Sequence, residues 1–212
     1  MKKLLALLLA SIMVFLLFGC SSNDDDDKDK KTNDKGSVTL SRGEVDDDVY
    51  VNDFLGFTFN KPSSWVFYTD EQIASAVQSS SSLLKVDLEE ALEKSGSVFD
   101  MMVVDSVTNS NINVGYENLS KTLSKDTTVE QYIDALKSQL SSMTYMTVDF
   151  PDEYDTVKLG DSEFTRVVCH TSTYGVEMTQ IYYLRKVDKY MCFVIATITS
   201  GYSVSSIEAM FE

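Results

Sequence analysis

The sequence predicts an α+β domain, a three-layer α/β/α sandwich around a largely antiparallel sheet. Two observations carry that expectation. Residues 163–173, 176–186 and 190–199 read as three consecutive strands joined by tight turns near Tyr174-Gly175 and Val187-Asp188. The last of them, "YMCFVIATIT", is apolar at odd and even positions alike. A strand with no polar face is central and covered on both sides, so helices are expected on both faces of the sheet.

The remaining elements follow in chain order. Val49–Val51 and Phe57–Phe59 read as short strands around a turn at "NDFLG". Gly56 suits that turn, and Phe57 and Phe59, two apart, share one face of their strand. Pro62 cannot donate to a ladder and ends the strand, which frees Trp65 to fold back over the core edge with its indole N–H on a polar partner. Thr69 to about Gln78 is a helix with a capping box, Thr69 followed three later by Gln72, and the serines 79–82 break it. Asp87 opens a second short helix that Gly96 closes. "FDMMVVDS" (99–106) and "INVGYENL" (112–119) form a hairpin around Thr108–Asn111. Thr127, with Glu130 three later, is expected to cap a third helix whose apolar stripe is Val129, Ile133, Leu136 and Leu140. Strands at about 144–150 and 154–159 then lead through Gly160-Asp161 into the three-strand meander. "SVSSIEAMFE" ends as a short helix with Ile207, Met210 and Phe211 inward.

The N-terminus reads differently. Lys2 and Lys3 precede an apolar run from Leu4 to Phe18, short for a membrane span, which is the pattern of an export signal over residues 1–19. The run ends in Leu17-Phe18-Gly19-Cys20, which resembles the lipobox of bacterial lipoproteins, although Phe18 is bulkier than the small residue usual there. The resemblance implies cleavage between Gly19 and Cys20 and a diacylglyceryl group on the Cys20 sulfur. Two acyl chains at about 0.8 kcal/mol per buried methylene hold a protein stably on a membrane. The expected location is the outer face of the bacterial cytoplasmic membrane, anchored to it rather than spanning it. Residues 20–48, rich in acids with almost no long apolar side chains, read as a disordered tether with a reach of about 30 Å. The folded domain is expected at 49–212. Cys169 and Cys192 fall two strands apart in the meander, with Cys169 opposite about Gln180 and Cys192 opposite about Tyr183, too far for a disulfide. Both are expected as free, buried thiols.

The run from Tyr50 to Trp65, Y-x-N-x-x-x-GF-T-F-x-x-P-x-x-W, followed by helices, a hairpin, a helix, a long meander and a terminal helix, resembles PsbP-like domains. Such domains occur in an extrinsic photosystem II protein, in a Ran-binding nuclear transport factor and in uncharacterised lipoproteins of Firmicutes. The stretches "YENLS", "GVEMTQIYYLRK" and "EAMFE" are similar in kind to the last of these. The resemblance covers residues 49–212 and implies a PsbP-like three-layer fold. No residues here match a photosystem or Ran-binding surface, and one fold carries unrelated functions.

Composition and motifs exclude more than they assign. The net charge is −15, with no basic patch, so nucleic acid is not an expected partner. No GxSxG, HExxH, CxxC or phosphate-cradling glycine loop occurs. The chain's one histidine, His170, neighbours Cys169 on a strand, so the two point to opposite faces and cannot form a dyad. Asn109, Asn111, Asn113 and Glu117 are better read as hairpin residues than as calcium ligands. Asp152, Glu153, Asp155, Asp161 and Glu163 could gather at one end of the sheet, and Tyr174, Tyr182, Tyr183 and Tyr190 could line a groove or the core. No catalytic residue, metal site or cofactor is expected. The expected function is a non-catalytic binding or adaptor module of unknown protein or small-molecule partner. A small-ligand receptor and a cell-envelope hydrolase are the alternatives.

Overall fold

The computed structural model describes residues 39–79 and 85–212. The signal segment, Gly19, Cys20 and most of the expected tether lie outside the described residues, as do the serines 80–82. Among the described residues eleven strands and five helices follow in order: β1 Glu44–Asp46, β2 Val49–Asn52, β3 Phe57–Asn60, β4 Trp65–Phe67, α1 Asp70–Ala76, α2 Leu88–Ser95, β5 Ser97–Asp105, β6 Asn111–Asn118, α3 Leu119–Thr122, α4 Val129–Ser141, β7 Met146–Asp149, β8 Asp155–Leu159, β9 Ser162–Thr173, β10 Val176–Val187, β11 Tyr190–Ile198 and α5 Val204–Glu208.

Eight strands form an antiparallel sheet in the order β4-β5-β6-β11-β10-β9-β7, with β8 also paired to β9. Every residue of β11 is buried, as its two apolar faces require, and it lies in the middle of the sheet. Every residue of β6 is buried as well, although its sequence carries three asparagines and a glutamate along with its apolar positions. Side chains on one sheet face (Val98, Met101, Val114, Tyr116, Tyr183, Cys192, Val194) pack under α2, α5 and a three-stranded sheet, β1-β2-β3. Those on the other (Phe99, Met102, Tyr182, Phe193, Ile195) pack under α1, α3 and α4. The fold is the three-layer α+β sandwich, with the small sheet sharing one outer layer with helices.

The opening aromatics take the places their spacing dictates. Phe57 and Phe59 are both buried, alternating with half-buried Thr58 and Asn60. Phe211 packs against both, at ring separations of 5.1 and 5.2 Å. The C-terminal backbone extends this sheet: Thr58 and Glu212 exchange N–H···O bonds of 2.8 Å, and Asn60 N–H donates to Met210 O. Trp65 begins the edge strand β4, is 1% exposed, and donates its indole N–H to Tyr202 Oη at 2.7 Å.

Three expectations shift. The α4 cap is Thr128, not Thr127, with Gln131 rather than Glu130 closing the capping box. The box can form at either threonine by residue type, and the packing of Tyr132, Ile133, Leu136 and Leu140 selects the frame. The β10–β11 turn falls at Asp188, so Cys192 sits opposite Arg185 rather than Tyr183, while Cys169 does oppose Gln180. The two thiols are free and buried on opposite sheet faces, and burial pushes each up to about 12. The sequence also assigns residues 39–48 to the tether, whereas Glu44–Asp46 pairs with β2 and the preceding residues are gripped by the core. Acid-rich composition hides that strand, because its stability comes from a partner carboxylate remote in sequence.

Candidate functional site

β5 and β6 lose register between Phe99 and Met101. Val98, Met101 and Val103 face one core while Phe99 and Met102 face the other, so the bulge inverts the alternation at Asp100. The extra residue carries a carboxylate whose side chain is only 2% exposed. Three donors converge on it: Arg42 Nη1 at 3.1 Å, Gly43 N–H at 2.8 Å and Tyr50 Oη at 2.7 Å. Two of them come from the segment 41–46, here called the strap, which ends in β1.

Behind this carboxylate runs a buried relay. Asn52 Nδ2 donates to Tyr50 Oη at 2.6 Å and to Tyr116 Oη at 2.7 Å, and Asn52 Oδ1 accepts from Leu55 N–H at 2.8 Å. Tyr116 Oη in turn donates to Ser41 O at 3.4 Å. Tyr50 and Asn52 are the Y and N of the Tyr50–Trp65 run, so the polar positions of that motif hold the strap while its aromatics build the core. Burial raises the Asp100 carboxyl above the ordinary carboxylate range, against the opposing pull of the Gly43 N–H, Tyr50 and Arg42. Burial and the Asp100 charge together push Tyr50 well above its usual value.

Between the strap and α1 lies an open cleft of about 480 Å³. Its walls are Arg42, Gly43 and Val45 on one side and Phe67 to Asp70 with Ile73 on the other, with Asp100 and Met101 between them. Volumes of this order accommodate a ligand or an inserted side chain. Val45 pairs with inward-facing Tyr50 yet remains 51% exposed, because the cleft leaves its inner side uncovered. Sequence reading missed this site. Its one signal was the pair of apolar residues Leu40 and Val45 flanking Arg42-Gly43 inside the acidic run.

A second buried acid lies on the opposite face. Glu117, 0% exposed, accepts from Tyr132 Oη at 2.5 Å, and its other oxygen has no hydrogen-bond partner among the described residues. Burial raises its carboxyl, with only Thr122 and Tyr132 acting to lower it. Asp100 and Glu117 belong to different packing layers.

The residues singled out from sequence are dispersed. Asn109 occupies the left-handed turn at φ 66°, and Asn111 and Asn113 are buried in β6, where Asn113 Nδ2 donates to Asn111 Oδ1 at 3.0 Å. Arg166 binds Asp155 (Nε to Oδ1 2.9 Å) and Glu208 (2.6 Å), while Asp152, Glu153, Asp161 and Glu163 are exposed. Among the described residues no group of three His, Cys, Asp or Glu side chains gathers as metal ligands would. His170 is exposed, and its neighbour Cys169 is buried on the other face. Tyr182, Tyr183 and Tyr190 are core residues, and Tyr174 is exposed and stacks on Tyr145 at 5.8 Å. No described helix is long and apolar enough to cross a membrane.

No family model matches the chain, and no curated protein matches it significantly. Several solved structures are similar to it, among them the following two. The solution structure of cyanobacterial PsbP (CyanoP) from Synechocystis shares 12% identity over 85% of this chain and 97% of its own, with a TM-score of 0.45. A crystal structure from Bacteroides thetaiotaomicron shares 15% identity over 74% of this chain, with a TM-score of 0.37, and the match spans 44% of that protein. The architecture of this chain rests on its own register and packing, described above.

Proposed function

We propose that the chain is an exported lipoprotein, held at the outer face of the bacterial cytoplasmic membrane by a diacylglyceryl group on Cys20, and that its folded domain is a non-catalytic binding or adaptor module. The observation that carries the anchoring is Leu17-Phe18-Gly19-Cys20 at the end of an apolar export run. The cleft beside the strap supports a binding role, since it is open and lined by apolar and charged side chains together. A hydrolytic role of the paired-carboxylate kind would need two carboxyl groups meeting at one substrate bond. Asp100 and Glu117, the two buried acids with raised carboxyls, pack on opposite sides of the sheet. We also place the domain with PsbP-like domains of the kind found in Firmicutes lipoproteins, on the Tyr50–Trp65 run and on the work its residues do here.

Fractionation tests the anchor. Cys20→Ala should move the protein from the membrane fraction to the medium, or leave an uncleaved precursor. Normal cleavage with unchanged membrane retention would overturn the reading.

A further inference from the structure

The geometry points to the cleft between the strap and α1 as the docking site for an extended basic peptide segment of a partner protein, bearing an apolar side chain that enters beside Val45. The inference rests on the reading of the domain as a binding module and names the class of partner.

Three independent features converge there. The first is an incomplete apolar wall. Val45, Phe67, Ile73 and Met101 line a cleft of about 480 Å³, and Val45 is 51% exposed despite facing inward. An incoming leucine-sized side chain would bury what the fold leaves open. The second is backbone. Among the described residues β1 is an edge strand, paired to β2 on one side only, so its outer N–H and C=O groups remain available to an extended chain. The third is charge. Asp70, at the start of α1, lines the cleft, and Glu44 and Asp46 on the outer face of β1 and Asp47 after it lie beside it; among the described residues these exposed acids have no ion pair, whereas Asp48 has Lys61 and Glu71 has Lys85. Arg42, the cation in the cleft wall, is matched by Asp100. The field at the rim is therefore negative, and it favours lysine or arginine flanking the apolar anchor.

An acidic or small anionic ligand fits poorly. It would meet Asp70 and the rim acids, and would have to draw Arg42 from a carboxylate already carrying three donors.

The test is a fluorescence-anisotropy titration of the full mature chain in phosphatidylcholine nanodiscs, with empty nanodiscs as blank. The probes are labelled peptides of alternating Lys and Leu, Lys and Ser, or Glu and Leu. Saturable binding of the Lys–Leu peptide is expected, with the other two much weaker. Val45→Lys and Asp70→Lys should each weaken it by about tenfold or more. Val107→Lys, the same kind of exposed substitution at the tip of the β5–β6 hairpin (76% exposed), should leave it unchanged. Absence of saturable Lys–Leu binding, equal binding of either control peptide, or indifference to Val45→Lys and Asp70→Lys would overturn the proposal. If Cys20 carries no lipid, the same titration runs on the soluble chain, so failure of the anchor and failure of the cleft are read separately.

Discussion

A Cβ placed on Gly43 would lie 2.4 Å from the ring of Tyr50. The backbone passes this close because Gly43 N–H and Tyr50 Oη share one oxygen of Asp100, at 2.8 and 2.7 Å. Strap, motif tyrosine and bulge carboxylate thus form one unit, and glycine is the residue that lets them meet.

Gly43→Ala should therefore cost about 1–3 kcal/mol, the range for forcing atoms into a filled site. Urea unfolding measures it, and limited proteolysis should cut the strap faster in the variant. Gly175 is the control. Its φ is 78° with nothing within 4 Å of an added Cβ, so Gly175→Ala should cost only the backbone strain, about 1 kcal/mol.

Asp100→Ala removes the acceptor for three donors, of which the Tyr50 hydroxyl stays buried in place and the Gly43 N–H half-buried. A loss of about 2–4 kcal/mol is expected, since stranded buried partners cost their full desolvation. Asp100→Asn keeps one acceptor oxygen and should lose less. Equal stability of Asp100→Ala and the parent in urea would mean that the strap is not held this way.

The pH dependence has a defined sign. Burial raises both Glu117 and Asp100, so the folded chain keeps these protons at pH values where the unfolded chain has released them. Their contribution to stability falls as pH rises from the ordinary carboxylate value through the raised one. Asp155 acts oppositely. Hydrogen bonding to Arg166 lowers it, and its contribution is lost only as pH falls through that lowered value. Glu117→Gln should therefore flatten the decline in unfolding midpoint as pH rises above the ordinary carboxylate value. A variant whose pH profile overlays the parent's would show that Glu117 does not titrate in that window.

Trp65→Phe deletes the donor to Tyr202 Oη and part of a T-shaped contact at 5.4 Å. The expected cost is about 1–3 kcal/mol from the orphaned partner and lost volume. Circular dichroism must follow it, because the variant has no other tryptophan to report unfolding.

Much of the fold was legible because it is periodic. Phe57 and Phe59 announce a strand face, and Tyr190 to Ile198 announces a strand with no polar face. The capping box at Thr69 forms as residue type dictates, while the one at Ser203, closed by Ser206 rather than by a Glu or Gln, was unforeseen. The cleft was not legible, for two physical reasons. The bulge at Asp100 inverts the side-chain alternation, and an inverted strand reads from sequence as an ordinary one. The strap is composed like a solvated tether, and only long-range bonds to Asp100 and Tyr116 make it part of the domain. Likewise the two frames for the α4 cap differ by one residue, and core packing chose between them.

The proposed lipid anchor on Cys20 is tested most directly by the intact mass of the mature protein extracted from membranes, with fragmentation of its N-terminal peptide. The predicted result is a chain that begins at Cys20 and carries a diacylglyceryl thioether on that residue. A mature chain with an unmodified Cys20, or one that retains residues 1–19, would contradict it.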